Sequence, residues 1–412
     1  IAGAENYGLL VTKGLFNLGF DVQFCTPSEA NVFPEGLRTS REWLQKRNLP
    51  LPTQADYGWA GYSFWDETFP EELVFLQSKK LGDWLDNNDI GLVFCSAMIP
   101  EPLISWREDA LTFMSLFAPW EYNLERFTFV GKRVDGLFSD SHWALTPWVE
   151  MNPSLNAYAP SMIEREYFQI LNQALPAHPV QIAIAGTIQP RKRQKEAVLA
   201  ALHLISKGYN IVLNIYGYQL DSFGSYIREI EEIITRSEWG GKIKFWGFVE
   251  DPHQIAQDNH IILCTSTDES ASQSILFNQA AGLLPVSCPA GGLPEIIIDG
   301  TTGFLTDGFE PQHIAEALQR ALDSRETWET LIKNGRSFLL HQCSESEFMH
   351  RILRVMIAAA EIRISKGARL FREVNTTRQF HFATRVWLLL KTIIRKNRSW
   401  LLPANSPQER IA

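Results

Sequence analysis

The chain has 412 residues, 45% of them hydrophobic and 21% charged, with 26 Gly and 21 Pro. That composition excludes a disordered, collagen-like or low-complexity protein and, at about 150 residues per domain, leaves room for two to three packed units. The net charge of −9 excludes a chain that coats nucleic acid with its whole surface, although the segment from Arg363 onward carries +9 and the body −18, the pattern of a basic tail with its own partner.

In chain order, Ala2-Gly3-Ala4-Glu5 opens directly into a helical pattern, with Tyr7, Leu10, Val11, Gly14, Leu15 and Leu18 on one apolar stripe and Gly19 as its stop. A small glycine-containing turn before a helix lets backbone N–H groups approach an anion, and it is equally well an ordinary turn. A strand is expected over 21–25, and the short apolar runs 90–95 and 136–139 read as strands covered on both faces. Residues 49–69, rich in Pro, Gly and aromatic rings without period, read as a long inserted loop packed by its own side chains and placed on the acceptor side.

From residue 180 the pattern becomes regular. Strands are expected at 180–185, 210–216, 242–246, 260–264 and 285–288, separated by helices ending at Lys207, over 226–236, 252–257 and 273–281. Strands alternating with helices imply parallel pairing through right-handed crossovers and an open doubly wound sheet, with ligands beyond the carboxyl ends of the strands.

Three segments carry candidate chemistry. Gly186 to Lys195 places Arg191, Lys192, Arg193 and Lys195 just past a strand end, where a glycine turn cradles anions; a charged helix start is the competing explanation. Thr265 to Ser274 offers small residues whose amides suit a diphosphate, with Glu269 as an acceptor for hydroxyls; a capping run of Ser and Asp explains it equally well. Gly291-Gly292-Leu293-Pro294-Glu295 and Asp299 to Leu305 are turn-rich and contribute little reactive chemistry.

The order of these motifs resembles the retaining glycosyltransferases of the GT-B fold called family 4, strongly over 180–325 and more weakly over 1–27 and 134–162. Ala2-Gly3-Ala4-Glu5 is similar to that family's G-G-A-E loop, which implies that the first strand precedes this sequence, and 134–141 is similar to the strand ending the N-terminal domain. The resemblance implies an α/β protein of two doubly wound Rossmann-like domains facing across a cleft. Their expected bounds are 1–162 and 163–345, followed by a helix over 346–362 that crosses back and a basic amphipathic extension over 363–412. It also implies Glu269 and Lys192 as catalytic residues, and Gly3, Ala4, Arg191, Ser270, Ala271, Ser272, Phe248 and Asn278 as the nucleotide-sugar site. The family arginine that follows the glycine is Thr187 here, so Arg191 or Arg193 is expected to compensate. A second glutamate, eight positions after the first, is absent: the two registers reach Phe277 or Asn278. The family's N-terminal histidine also lacks a counterpart, since the strand runs into Ser96-Ala97.

The function implied is transfer of a sugar from a nucleotide-diphosphate donor to a glycan or lipid-linked acceptor, retaining, with no cofactor and no metal. The alternative is a catalytically silent binding or scaffold module of the same fold; a less favoured third is an epimerase-like use of a nucleotide sugar. The stretch 379–398 places Val386, Trp387, Leu390, Ile393 and Ile394 on one helical side, flanked by Arg385, Lys391, Arg395 and Lys396, which fits a helix on an anionic membrane or a contact with another domain. Five dispersed cysteines, Cys25, Cys95, Cys264, Cys288 and Cys343, without C-x-x-C spacing, fit a reducing, cytoplasmic location, and the first three of them read as small buried hydrophobes. The sequence has neither a signal-peptide pattern nor an apolar run near the about 20 residues of a membrane span. It opens at Ile1 rather than Met, so an upstream segment is expected to be missing.

Overall fold

A computed structural model describes residues 3–23, 25–27, 41–51, 53–55, 71–96, 110–117, 134–149, 155–169, 179–249 and 252–373. The chain forms two compact units, one made of Ile1–Asp140, Ala144–Ala159 and Glu345–Ala412, the other of Ser141–Trp143 and Pro160–Ser344.

In the first unit, β1 (Cys25–Pro27) and β2 (Thr53–Ala55) form a two-stranded parallel sheet. A second sheet, ordered β3-β4-β5-β6, joins Leu92–Ser96, Leu111–Leu116, Gly136–Ser139 and Asn156–Tyr158, all parallel. Every residue of β4 and β5 is buried, as a sheet covered on both faces requires. Helix α1 (Gly3–Asn17) turns its apolar stripe inward. There Tyr7 meets Phe117 and Phe348 edge-on, and its hydroxyl donates to the Ala159 carbonyl at 3.0 Å. The helix Glu71–Asn87, α2, buries Leu81 and Leu85 against Ile90 and Val93.

The C-terminal helix Glu345–Glu373 belongs to this first unit. Gly14 and Gly136 admit it, because a Cβ at Gly14 would lie 2.1 Å from Met349 Sδ and one at Gly136 2.5 Å from Val355 Cγ1. Arg363 fixes it with a forked ion pair, Nε to Asp135 Oδ1 at 2.7 Å and Nη2 to Oδ2 at 3.1 Å, while Asp135 also accepts the Thr112 amide at 2.8 Å. Arg363 is thus part of a packed helix rather than the start of a tail, and the helix continues past residue 362.

The second unit is built on a six-stranded, all-parallel sheet ordered β12-β11-β10-β7-β8-β9. Its strands are β7 Val180–Ala185, β8 Ile211–Tyr216, β9 Ile243–Gly247, β10 Ile261–Cys264, β11 Leu284–Ser287 and β12 Phe304–Leu305. Alternate residues feed two cores. Ile182, Ile184, Leu213, Ile215, Ile261 and Leu263 pack toward α3 (Gln194–Ser206), α4 (Gly224–Arg236) and Pro311–Asp323, whereas Ala183, Ile262 and Cys264 pack toward α5 (Gln273–Ala280) and the end of Trp328–Cys343. The chain starts at β7, winds outward through β8 and β9, then returns to β10 beside β7 and winds the other way. The loops after β7 and β10 therefore diverge from adjacent strand ends, the switch point at which ligands of open α/β sheets bind.

Several expectations are corrected. The strand expected over 21–25 lies at Cys25–Pro27. The run 136–139 is followed in the sheet by β6, and β4, β6 and α2 lie in sequence for which no element is expected. Gly3 and Ala4 lie in the first turn of α1, not in a loop before it. Most of the aromatic stretch 49–69, and all of 379–398, fall outside the described residues. Among the described residues no helix is long and apolar enough to cross a membrane.

Trp328 is 1% exposed and its indole donates to the Ala321 carbonyl at 2.7 Å. Trp328→Ala is expected to lower the unfolding free energy by about 3–5 kcal/mol, and Trp328→Phe by about 1 kcal/mol for the lost hydrogen bond, measured by urea denaturation.

Candidate active site

The site begins with a backbone contact only glycine allows. Gly186, at the end of β7, has φ +149°, and Gly217, at the end of β8, has φ +147°; a Cβ on Gly217 would sit 1.9 Å from the Gly186 carbonyl oxygen. From Gly186 the chain runs through a short turn, Pro190–Lys192, into Arg193, whose left-handed backbone (φ +53°) starts α3. Gln194 steadies the turn, donating from Nε2 to the Thr187 carbonyl at 3.0 Å.

The loop after β10 is stitched to this turn. Thr267 N donates to the Arg191 carbonyl at 3.0 Å, and Thr265 Oγ1 reaches the carbonyls of Lys192 at 2.7 Å and Arg193 at 3.1 Å. Held this way, Lys192 Nζ donates to Glu269 Oε1, and Arg191 Nη1 donates to the Asp268 carbonyl while lying 4.0 Å from the same Oε1. Ser266 Oγ adds a second donor to Oε1 at 2.8 Å. Side-chain exposures of 38% for Arg191, 19% for Lys192 and 11% for Glu269 describe a half-sheltered cationic surface around one carboxylate.

Ser270, Ala271 and Ser272 follow, all buried, and lead into α5 with Ser272 at its N-cap. Their course is walled by the turn after β11. Gly292 N donates to the Glu269 carbonyl at 2.9 Å, and a Cβ at Gly291 or Gly292 would come within 1.9 Å of the Glu269 carbonyl oxygen or 2.0 Å of the Ser270 one. Glu295 accepts the amides of His142 and Trp143, each at 2.8 Å, and Ser141 Oγ lies 2.6 Å from Ser270 Oγ. These polar contacts are invisible in the sequence, where Glu295 reads as part of a turn.

Of the expected site residues, Arg191, Lys192, Glu269 and Ser270 to Ser272 come together. Arg193 does not, because its left-handed backbone sends the guanidinium to the Phe309 carbonyl at 3.0 Å and to Glu196 at 3.3 Å. Asn278 is buried, with Nδ2 donating to the Ser274 carbonyl at 2.8 Å and Oδ1 taking no hydrogen bond from any described residue. Phe277, in the other register for the missing glutamate, stacks on Tyr167 at 4.8 Å, and Tyr167 stacks in turn on His253 at 4.4 Å. Phe248 is exposed and stacked on Tyr218 at 4.1 Å, one strand out from the turn, since Ile188 N donates to the Tyr218 carbonyl and Gly217 N to that of Gly247. Gly3 and Ala4 lie in the first unit.

A four-stranded parallel sheet in the first unit and a six-stranded one wound around a switch point in the second give two Rossmann-like units in one chain, the arrangement of the GT-B fold. The structure of a Rickettsia africae glycosyltransferase is similar over 86% of this chain and 94% of its own, with a TM-score of 0.69 at 14% identity. Anabaena HepE, solved in complex with UDP, matches over 87% and 96% with a TM-score of 0.69 at 15% identity. Residues 169–338 match the family model described as Glycosyl transferases group 1. Among curated relatives, the D-inositol 3-phosphate glycosyltransferase of Corynebacterium kroppenstedtii is 29% identical over 36% of this chain and 34% of its own. The glycogen synthase of Chlorobaculum tepidum is 31% identical over 29% and 27%. The chain thus spans about a third of the length of these relatives.

Tyr226 braces the site from below, its hydroxyl accepting the Lys195 amide at 3.0 Å, and burial pushes its phenol up from 10.0 to about 12. The folded state therefore favours the neutral phenol. This contribution to stability is complete below about pH 10 and is lost as pH rises toward about 12. In Tyr226→Phe the fall in stability across that window is expected to be shallower than in the unmodified protein, as read from urea midpoints at each pH.

Proposed function

We propose that the chain transfers a sugar from a nucleoside-diphosphate donor to a glycan or lipid-linked acceptor, with retention of anomeric configuration and without a metal ion. The observation that carries this reading is the cluster of Lys192, Arg191 and Glu269 at the switch point, inside the segment that matches the group 1 model. Breaking the sugar–phosphate bond leaves negative charge on the diphosphate. Lys192 has donors beyond the one given to Glu269, Arg191 is partly exposed, and the amides of Ser270 to Ser272 lead into the positive end of α5; together these groups stabilise that charge where it develops.

In this reading Glu269 Oε2 accepts a hydroxyl of the transferred sugar. Asn278 Oδ1, unpartnered and buried, takes a ribose hydroxyl, and the exposed Phe248 face receives the base. Gly3 and Ala4 enter only through their likeness to the family's glycine loop. The HepE structures, titled with UDP and with UDP-glucose, support testing a uridine nucleotide first. The enzyme would work in the cytoplasm, with 379–398 against an anionic membrane surface.

A thermal-shift panel of UDP, GDP, ADP and their glucose conjugates tests the donor, since a ligand at about 100 times its Kd adds about 2.7 kcal/mol to stability. Lys192→Ala and Glu269→Gln are each expected to lower donor turnover by about a hundredfold or more while leaving the fold intact. Unchanged turnover in both would remove the cluster from the chemistry. Nucleotide binding with no hydrolysis or transfer would establish instead the silent binding module, the reading that Phe277 in place of a carboxylate favours.

A further inference from the structure

Glu269 presents its two oxygens unequally. Oε1 takes Lys192 Nζ and Ser266 Oγ and lies nearest Arg191, whereas Oε2 takes no hydrogen bond from any described residue. Lys192 alone does not explain that asymmetry, because an ammonium on a four-carbon stem follows a carboxylate through many rotamers. Ser266 is different. It is 1% exposed, and its hydroxyl stands one carbon from a backbone fixed by the end of β10. Its oxygen also accepts the Cys264 thiol, with Sγ at 3.6 Å. Burial, then the neighbouring Glu269 charge, pushes the Cys264 thiol up, so it keeps its proton to donate. With its oxygen engaged by sulfur, the single hydroxyl proton of Ser266 is left for Oε1, and a chain S–H···O–H···O⁻ runs from the strand into the carboxylate.

We infer that Ser266 is a positioning residue: backed by Cys264, it anchors Glu269 Oε1 beside Lys192 and so turns Oε2 toward the ligand. The inference rests on the catalytic reading of Glu269 given above. It assigns a task to a serine that, in a Ser/Thr-rich segment, reads as helix capping, and to a cysteine that reads as core filling.

The test measures hydrolysis of UDP-, GDP- and ADP-glucose by the full chain, taking whichever donor turns over fastest. Ser266→Ala is expected to lower kcat about ten- to hundredfold, as loss of a charge-assisted hydrogen bond does at about 1.4 kcal/mol per decade, with donor KM changed less than about threefold. Ser266→Thr, which keeps the hydroxyl, is expected to recover most of the rate. In a Glu269→Gln background Ser266→Ala is expected to add less than about twofold, since a residue acting through another has little left to act on. The inference is overturned if Ser266→Ala turns over normally, if Ser266→Thr is as impaired as Ser266→Ala, or if the alanine effect persists in full without the Glu269 carboxylate. If Glu269→Gln itself retains full activity, or no donor is hydrolysed by the unmodified chain, the catalytic reading of the cluster falls and the positioning role falls with it. That outcome is distinct from an enzyme that needs Glu269 but ignores Ser266.

Discussion

The backbone tie between the turn after β7 and the loop after β10 is the constraint on which the site depends. At a switch point the two connections leave in opposite directions, and nothing in the sheet itself keeps their first residues together. Thr265 and Thr267 do so by reaching the carbonyls of Arg191, Lys192 and Arg193. With Leu263 beside Ile184 in the sheet and the two loops tied beyond it, the cations and the carboxylate meet through main-chain contacts rather than because long side chains happen to find one another. Preorganisation of this kind is cheap at the moment of ligand binding, since the ordering entropy has been met in folding.

The same region shows where the chain departs from the pattern it resembles. A carboxylate eight positions after Glu269 would sit on α5 where Phe277 completes a three-ring stack with Tyr167 and His253. That stack ties α5 to the helix Arg165–Gln169 and the helix Pro252–Asp258 through apolar contact. Ring packing stands where the family pattern has a carboxylate, and the neighbouring Asn278 carries a buried amide oxygen that takes no hydrogen bond from any described residue.

How much was legible depended on the local signal. In the second unit five of the six strands fall within a residue of their expected bounds, because apolar runs such as 180–185 and 211–216 are punctuated by glycine and flanked by clear helical periods, while the two-residue β12 lies in sequence that reads as turn. In the first unit aromatic-rich sequence hides the period, and the apolar run Leu111–Leu116 goes unread although its six buried residues are plain afterward. Arg191, Lys192 and Glu269 were legible through their place beyond strand ends together with the family resemblance, since charge there is as often an ordinary helix start. The choice between Arg191 and Arg193 was not, since it turns on one left-handed residue. Ser266 and Thr265 were hidden for a related reason: short hydroxyl residues before a helix look alike whether they cap it, tie loops together or hold a carboxylate.

The placement of the helix Glu345–Glu373 with Ile1–Asp140 makes the first unit discontinuous in the chain, with the whole of 160–344 emerging from the ribosome between its parts. Met349 and Val355 fill the space that Gly14 and Gly136 leave, and Phe348 packs edge-on against Tyr7, so the core around 1–140 stays incomplete until residues 345–360 have been made. The later segment, contiguous and rich in local βαβ contacts, is free to mature beforehand. Until that helix is made, the faces of the first unit that it covers stay exposed, and transiently exposed apolar surface is what makes a nascent chain prone to aggregation.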